Sequence, residues 1–382
     1  MRQALLRWII RSGIVWGLAM IATDMGADEM VRMYIASAGD RPAILTCTLD
    51  LATGTFGPAE TVAGDVRTGF LALHPAQPVL YAATVEPKVG EADGNNGAVR
   101  AYRIERPDGT LRLLNKAPTH DNGTTHLAVD HQARAVVVCH YGGNGTSAIP
   151  LGPRGRLSQS VSQIVHAGSS VHPQRQTRPH PHGVAIDLAG RFVFVADLGS
   201  DRVEVFWLDQ QTVLSRHAFW KAAAGAGPRH VTFHPTGRWL YCINELDSTI
   251  SVLQFDARQG KLAEVETIST LPKGWKGKST TAEVVVHPGG RFLYGSNRGH
   301  DSTAVFAIDP DDGTLALVEH EPTQGQHPRF VGLDPSGRIY VAANLHSDRL
   351  VAFRIDAESG ALEATGQQLA VPRPMCVVFT SN

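Results

Sequence analysis

Arg229, Glu245 and Arg298 are charged residues at places where the surrounding sequence pattern asks for none, and together they form a chemical set. A carboxylate between guanidinium groups stays ionised. Paired arginines hold a carboxylate or phosphate and stabilise charge that develops on oxygen. His182 adds an imidazole, which titrates near neutrality and can carry a proton in either direction. Such a set suits acid–base chemistry on a small anionic or oxygen-rich molecule. Glu245 is then a base, an orienting group or a counter-charge, and His182 a proton shuttle. His180, His230, Arg329, Asn244 and Asn297 lie at neighbouring positions of the pattern and stand as candidates for contact with the bound molecule.

These residues stand out when the chain is compared with itself. A short apolar run ends in His or Asp, a turn follows, and a second apolar run begins, as in LALHPAQP, LAVDHQAR, VAIDLAGR, VTFHPTGR, VVVHPGGR and VGLDPSGR. The His or Asp recurs as His74, Asp130, Asp187, His234, His287 and Asp334, 47 to 57 residues apart, which is the period of propeller blades. After each comes a strand such as RWLYCIN, a polar turn, a strand such as STISVLQF, a Gly-bearing turn such as DARQGKL, and one more strand. Four alternating strands per copy predict antiparallel sheets.

Six copies leave two pieces over. MYIASAGDRPAILTCTLDLATGTF supplies outer strands without an inner one, and RPMCVVF an inner strand without outer ones. Joined, they complete a seventh blade and remove an exposed sheet edge. The expected fold is all-β, one seven-bladed propeller over residues 30–382, with one blade closed by both chain ends. A pair of β-sandwiches competes, but the regular period argues against it. Counting the composite blade as blade 1, the six copies are blades 2 to 7.

Antiparallel order puts the turn after each His/Asp and the Gly-bearing turn on one face of the disc. The loop entering a blade and the turn after its second strand share the other. That second face collects Arg178, His180, His182, Arg229, His230, Glu245, Arg298, His300, His327, Arg329 and His346, a basic, His-rich patch around the central funnel. Eleven residues after the His/Asp stand Val85, Tyr141, Leu198, Glu245, Arg298 and Leu345; five before it stand Gly69, Thr125, His182, Arg229, Ala282 and Arg329. Charges near a packed axis cost several kcal/mol, roughly, unless paired. Ten residues after it every copy is polar (Thr84, His140, Asp197, Asn244, Asn297, Asn344), which reads first as turn chemistry bonding backbone.

Composition excludes some functions. A formal net charge of -1 removes a whole-protein electrostatic case for nucleic acid. Cys47, Cys139, Cys242 and Cys376 form no CxxC and read as buried free thiols. His180-Pro181-His182 lacks an evident third metal ligand, and GWKGKST has Pro272 where a phosphate loop needs its first Gly, so neither a metal nor a cofactor is expected. Three segments break the repeat: 86–97, which reads as flexible, 166–181 and 271–281. Residues 1–29 differ from the rest. Arg2, Arg7 and Arg11 precede the apolar IVWGLAMIA, a run too short to span a bilayer. It reads either as a signal peptide ending near Ala27 or as a start misplaced ahead of Met30 or Met33.

HPHGVAID, GPRHVTFHPTGRWLYCINELDSTI, RFLYGSNRGHDS and the HPRF blade resemble the seven-bladed propeller lactonases, a family that includes propeller-type 6-phosphogluconolactonases and carboxymuconate-lactonizing cycloisomerases. The resemblance spans roughly residues 33–379 and is most specific in blades 4 to 7; DHQAR and HPAQP depart from the usual turn. It implies His182, Arg229, Glu245 and Arg298 as catalytic residues, and hydrolysis of a sugar lactone such as 6-phosphogluconolactone, in carbohydrate metabolism, with no metal. The implied partner is a small anionic sugar lactone. A lactonizing cycloisomerase would use the same groups. A non-catalytic propeller scaffold would instead show a broad apolar patch on the funnel face.

Overall fold

In the computed structural model the chain is described for residues 29–86, 96–159 and 161–380. The leader-like segment, up to residue 28, and the middle of the 86–97 loop lie outside these residues. Seven four-stranded antiparallel sheets make the fold. Blade 5 is representative, with Pro228–Phe233 innermost, then Trp239–Asn244, Thr249–Asp256 and Lys261–Ser269.

Burial falls from the axis outwards, and the sequence follows it. Trp239–Asn244 is buried at every residue, because a neighbouring blade packs on each face of the strand. A strand covered on both sides reads as a continuous apolar run. Lys261–Ser269 lies at the rim and is largely exposed, with only Leu262, Glu266 and Ile268 half-buried. The four cysteines are free and buried, as expected, and burial pushes the Cys47 thiol up to about 12.

The two chain ends meet in blade 1. Pro374–Phe379 is its innermost strand and pairs with Met30–Ser37, Met33 facing Phe379 and Ala36 facing Cys376. Ala43–Asp50 and Glu60–Gly64 complete that sheet. The ring therefore closes through hydrogen bonds between residues more than three hundred positions apart.

Each recurring His or Asp caps its turn. Asp187 accepts the backbone N–H groups of Arg191 and Phe192, and Asp334 those of Ser336 and Ile339. Histidine does more. His234 accepts Thr236 N–H at Nδ1 and donates Nε2–H to Gly290 of blade 6 (2.9 Å), while His287 reaches Gly337 of blade 7 in the same way. A second clasp joins blades at the Gly-bearing turn. Tyr34, Tyr81, Tyr241 and Tyr294 each donate a hydroxyl to the carbonyl of that glycine in the following blade: Gly109, Gly155, Gly313 and Gly360.

One irregularity matters for function. In every innermost strand the pairing register slips at the same place, leaving an extra residue as a β-bulge: Gly69, Thr125, His182, Arg229, Arg329 and Met375, and the pair Ala282–Glu283 against Ser296. A bulge re-aims a side chain without ending the strand. The position five residues before each His/Asp is this bulge.

Gly313 has φ +79°, and a Cβ there would stand 2.6 Å from the Trp239 ring of the preceding blade. Gly313→Ala should destabilise the protein by about 1–3 kcal/mol, from overpacking and left-handed strain together. Denaturant unfolding followed by fluorescence measures it; an unchanged midpoint would refute the clasp.

Candidate active site

Arg229 leaves the blade 5 bulge, and Glu245 follows the second strand of the same blade, its N–H held by Gly227 O at 2.7 Å. Arg298 ends the second strand of blade 6, Phe292–Arg298. The three meet. Glu245 Oε2 lies 3.0 Å from Arg229 Nε and 3.0 Å from Arg298 Nη2. Glu245 Oε1 accepts from Arg175 Nη2 at 2.6 Å, and Arg175 also donates to the Tyr141 hydroxyl. His182, at the blade 4 bulge, brings Nε2 to 3.9 Å from Glu245 Oε2.

Arg229 and Glu245 are almost wholly buried, at 1% and 3% exposure. Burial alone would raise the carboxyl, but the charges of Arg298 and Arg229, with Arg175, outweigh it and hold Glu245 far below the ordinary carboxylate range. Burial and the neighbouring cations lower Arg229 to about 9, which leaves it charged at neutral pH. His182 is held well below 6.5 by burial and then by Arg229, so its imidazole is neutral. Its Nδ1 is buried without a hydrogen-bond partner among the described residues.

With both oxygens engaged by guanidinium groups and its pKa depressed, Glu245 is a counter-charge and an orienting group. The neutral His182 is the better placed proton acceptor. Arg329, at the blade 7 bulge, has no carboxylate within 4 Å among the described residues; burial first, then Arg298, lowers its pKa. It lines a cavity of about 480 Å³ on the funnel face, with Arg67, Thr125 and Met375. A larger cavity, about 740 Å³, lies at the turn-bearing side around His74 and Pro107 and contains none of these residues.

The remaining candidates separate. His230 is on the axis, its Nδ1 2.9 Å from Glu283 Oε1. His180 stacks on Tyr141 (ring centroids 4.6 Å apart) and its Nδ1 meets Tyr141 O at 2.8 Å, so it supports the rim. Asn244 and Asn297 are not brought to the site. Asn244 donates to Thr249 and Ser251, and Asn297 exchanges bonds with Thr270, so both amides are spent inside the sheets as turn chemistry predicts. Further out, Arg178 holds Gly142 and Gly143 carbonyls, and His327 stacks on His346. No three His, Cys, Asp or Glu side chains among the described residues are grouped as metal ligands.

Three participants were missed by the sequence reading. Arg175 sits in the 166–181 loop, which has no counterpart in other blades and so nothing to be compared with. Tyr141 occupies the position of Glu245 in blade 3 and looked like one of the apolar majority. Glu283 lies four residues before His287. At that position the copies carry Phe70, His126, Gly183, His230, Glu283 and Phe330, and comparing them would have marked His126, His230 and Glu283 as polar exceptions.

A propeller whose funnel gathers arginines around one carboxylate and a neutral histidine defines the class of protein. Residues 21–379 match the family described as "Lactonase, 7-bladed beta-propeller", and the chain belongs to that family. It is 34% identical over 296 residues to the 6-phosphogluconolactonase of Bacillus subtilis strain 168, covering 78% of this chain and 84% of the relative. It is 32% identical over 320 residues to that of Serratia proteamaculans strain 568, covering 83% and 90%. Among solved structures, the periplasmic gluconolactonase PpgL of Pseudomonas aeruginosa superposes with a TM-score of 0.83 at 27% identity, over 92% of this chain and 99% of that one.

Because its folded pKa is depressed, Glu245 contributes full stability above the ordinary carboxyl value of 4.5, and loses it as pH falls from there towards the folded value. Glu245→Gln leaves three buried or half-buried guanidinium groups without their counter-charge and should cost about 3–5 kcal/mol at pH 7. The gap between wild type and variant should shrink as pH drops below 4.5. Urea unfolding at a series of pH values reads it; a gap that does not change with pH would contradict the ion-pair account.

Proposed function

We propose that this protein hydrolyses an aldonolactone, 6-phosphogluconolactone or its unphosphorylated counterpart, to the open-chain acid. One observation carries the reading: Arg175, Arg229 and Arg298 surround the ionised Glu245 carboxylate beside a neutral imidazole, and Arg329, unpaired among the described residues, adds a positive charge to the funnel. The surplus positive charge suits an anionic substrate and the oxyanion formed when water adds to the lactone carbonyl. Its relatives' names, 6-phosphogluconolactonase and gluconolactonase, support the same chemistry.

In this scheme His182 takes a proton from the attacking water, forming the new carbon–oxygen bond. Arg229 and Arg298 stabilise the tetrahedral oxyanion. Collapse breaks the bond to the ring oxygen, and the proton returns from His182 to that oxygen; the new carboxylic acid then ionises and releases one proton to solvent. Glu245 keeps the guanidinium groups in place. Hydrolysis followed in a pH-stat should exceed the spontaneous rate on at least one of 6-phosphogluconolactone and glucono-δ-lactone; turnover of neither, or of muconolactones alone, sinks the proposal. Arg229→Ala should lower kcat/KM about 100- to 1,000-fold.

The pH dependence follows from the direction of the His182 shift. Only the neutral ring accepts a proton, and burial with Arg229 holds its pKa well below 6.5. With glucono-δ-lactone, which has no phosphate to titrate, kcat/KM should stay level as pH falls to 6.5 and decline only below it. An acid limb centred above that value would remove His182 as the base.

Compartment and substrate are linked. A leader ending near Ala27 places the enzyme outside the cytoplasm and favours the unphosphorylated lactone, in line with the periplasmic Pseudomonas relative. A start near Met30 places it in the cytoplasm with the phosphorylated one. The N-terminal mass of the native protein should therefore agree with whichever lactone has the higher kcat/KM, and disagreement would break the link.

A further inference from the structure

Beneath the arginines the axis holds a recess of about 10 Å³, close to the room needed by one oxygen atom. His182, Arg229, His230, Glu283 and Arg329 form its polar side, and Phe70, Phe330 and Met375 its apolar side. It shares Gly69, Thr125, Arg329 and Met375 with the wall of the funnel cavity, so the two adjoin.

Glu283 is the group the scheme above does not use. The blade 6 bulge turns it to the axis, and its N–H is fixed by Ser296 Oγ at 3.0 Å. One carboxyl oxygen is occupied, Oε1 meeting His230 Nδ1 at 2.9 Å and Val284 N–H at 3.1 Å. The other, Oε2, is buried and has no hydrogen-bond partner among the described residues. His230 is itself hemmed in by His126, with ring centroids 4.7 Å apart, so the pair has little freedom to turn away. An unpartnered buried carboxyl oxygen is costly to maintain, and a ligand that supplies the missing partner removes that cost.

We infer that this recess is a one-hydroxyl subsite, in which Glu283, held by His230, recognises a hydroxyl group of the substrate. The inference rests on the lactone reading and deepens it by naming a specificity-determining residue. A hydroxyl can donate to an ionised carboxyl or accept from a protonated one, whereas a second carboxylate would be repelled by it. Burial lifts Glu283 to about 7, so both forms are present near neutrality and both are served by a hydroxyl. The apolar wall receives the C–H side of the carbon chain while the arginines hold the acid group. A polyhydroxy acid meets all three demands; an unhydroxylated dicarboxylate lacks the hydroxyl.

Calorimetric binding of gluconate, the unreactive product, tests the subsite without requiring turnover, so a failed lactonase assay and a failed subsite remain distinct. Glu283→Leu should bind gluconate about 10- to 100-fold more weakly than wild type. Glu283→Gln, of the same shape and still able to bond a hydroxyl, should lose less and guards against a folding defect. Among the mono-deoxygluconates, one should bind wild type with the same loss and show no further loss on Glu283→Leu. The inference is overturned if wild type does not bind gluconate. It is also overturned if Glu283→Leu binds it within twofold of wild type. Equal losses for every deoxygluconate on both proteins would mean that only a water occupies the recess, and would overturn it as well.

Discussion

The Glu245 carboxylate, buried between Arg229 and Arg298 and capped by Arg175, is the interaction on which the site depends. Its partners come from three consecutive blades, so the ion pairs also fix the upper ends of blades 4, 5 and 6 relative to one another. Desolvation makes each member costly alone, and their mutual attraction in a water-poor place offsets that cost. The balance is incomplete in charge: Glu245 cannot neutralise three guanidinium groups, Arg329 adds a fourth, and Glu283 is ionised only in part near neutrality. What remains is a positive potential directed into the funnel, present before any ligand arrives.

Such pre-organisation needs a rigid frame. The fully buried second strands and the innermost bulges supply it, because both are set by packing between blades on either side. His182 owes its neutrality to the same frame, since burial is the first cause of its lowered pKa and the Arg229 charge the second. The imidazole and the guanidinium groups thus tune each other. Moving Arg229 would alter the histidine's proton affinity as well as the binding of an anion.

The fold was legible because the repeat is written in short, physically forced pieces: a capping His or Asp, a glycine that must adopt positive φ, and an apolar strand covered on both faces. The closure of blade 1 could be read from strands left over at the two ends. For the site, comparing copies found His182, Arg229, Glu245, Arg298 and Arg329, since a charge stands out where its counterparts are small or apolar. It misjudged Asn244 and Asn297, whose polarity is common to every blade for a structural reason. It also missed Arg175, because a loop unique to one blade has no internal reference. The β-bulge itself leaves no sequence mark, as Gly, Thr, His, Arg and Met all occupy it.

That variety at the bulge bears on how the funnel is furnished. Seven inward-aimed positions sit on one circle, their backbone geometry fixed by the strand pairing, and residues as different as Gly, Thr, Met, His and Arg occupy them. Three carry His or Arg, blade 6 adds Glu283 beside Ala282, and Gly69, Thr125 and Met375 leave the rest of the circle uncharged. At the blade 5 bulge, by contrast, Arg229 serves the site and the ion pairs that hold neighbouring blades together. The small residues Gly69 and Thr125 line the funnel cavity opposite that cluster, so what the wall presents to a ligand there is set by side chains that take no part in the Glu245 ion pairs.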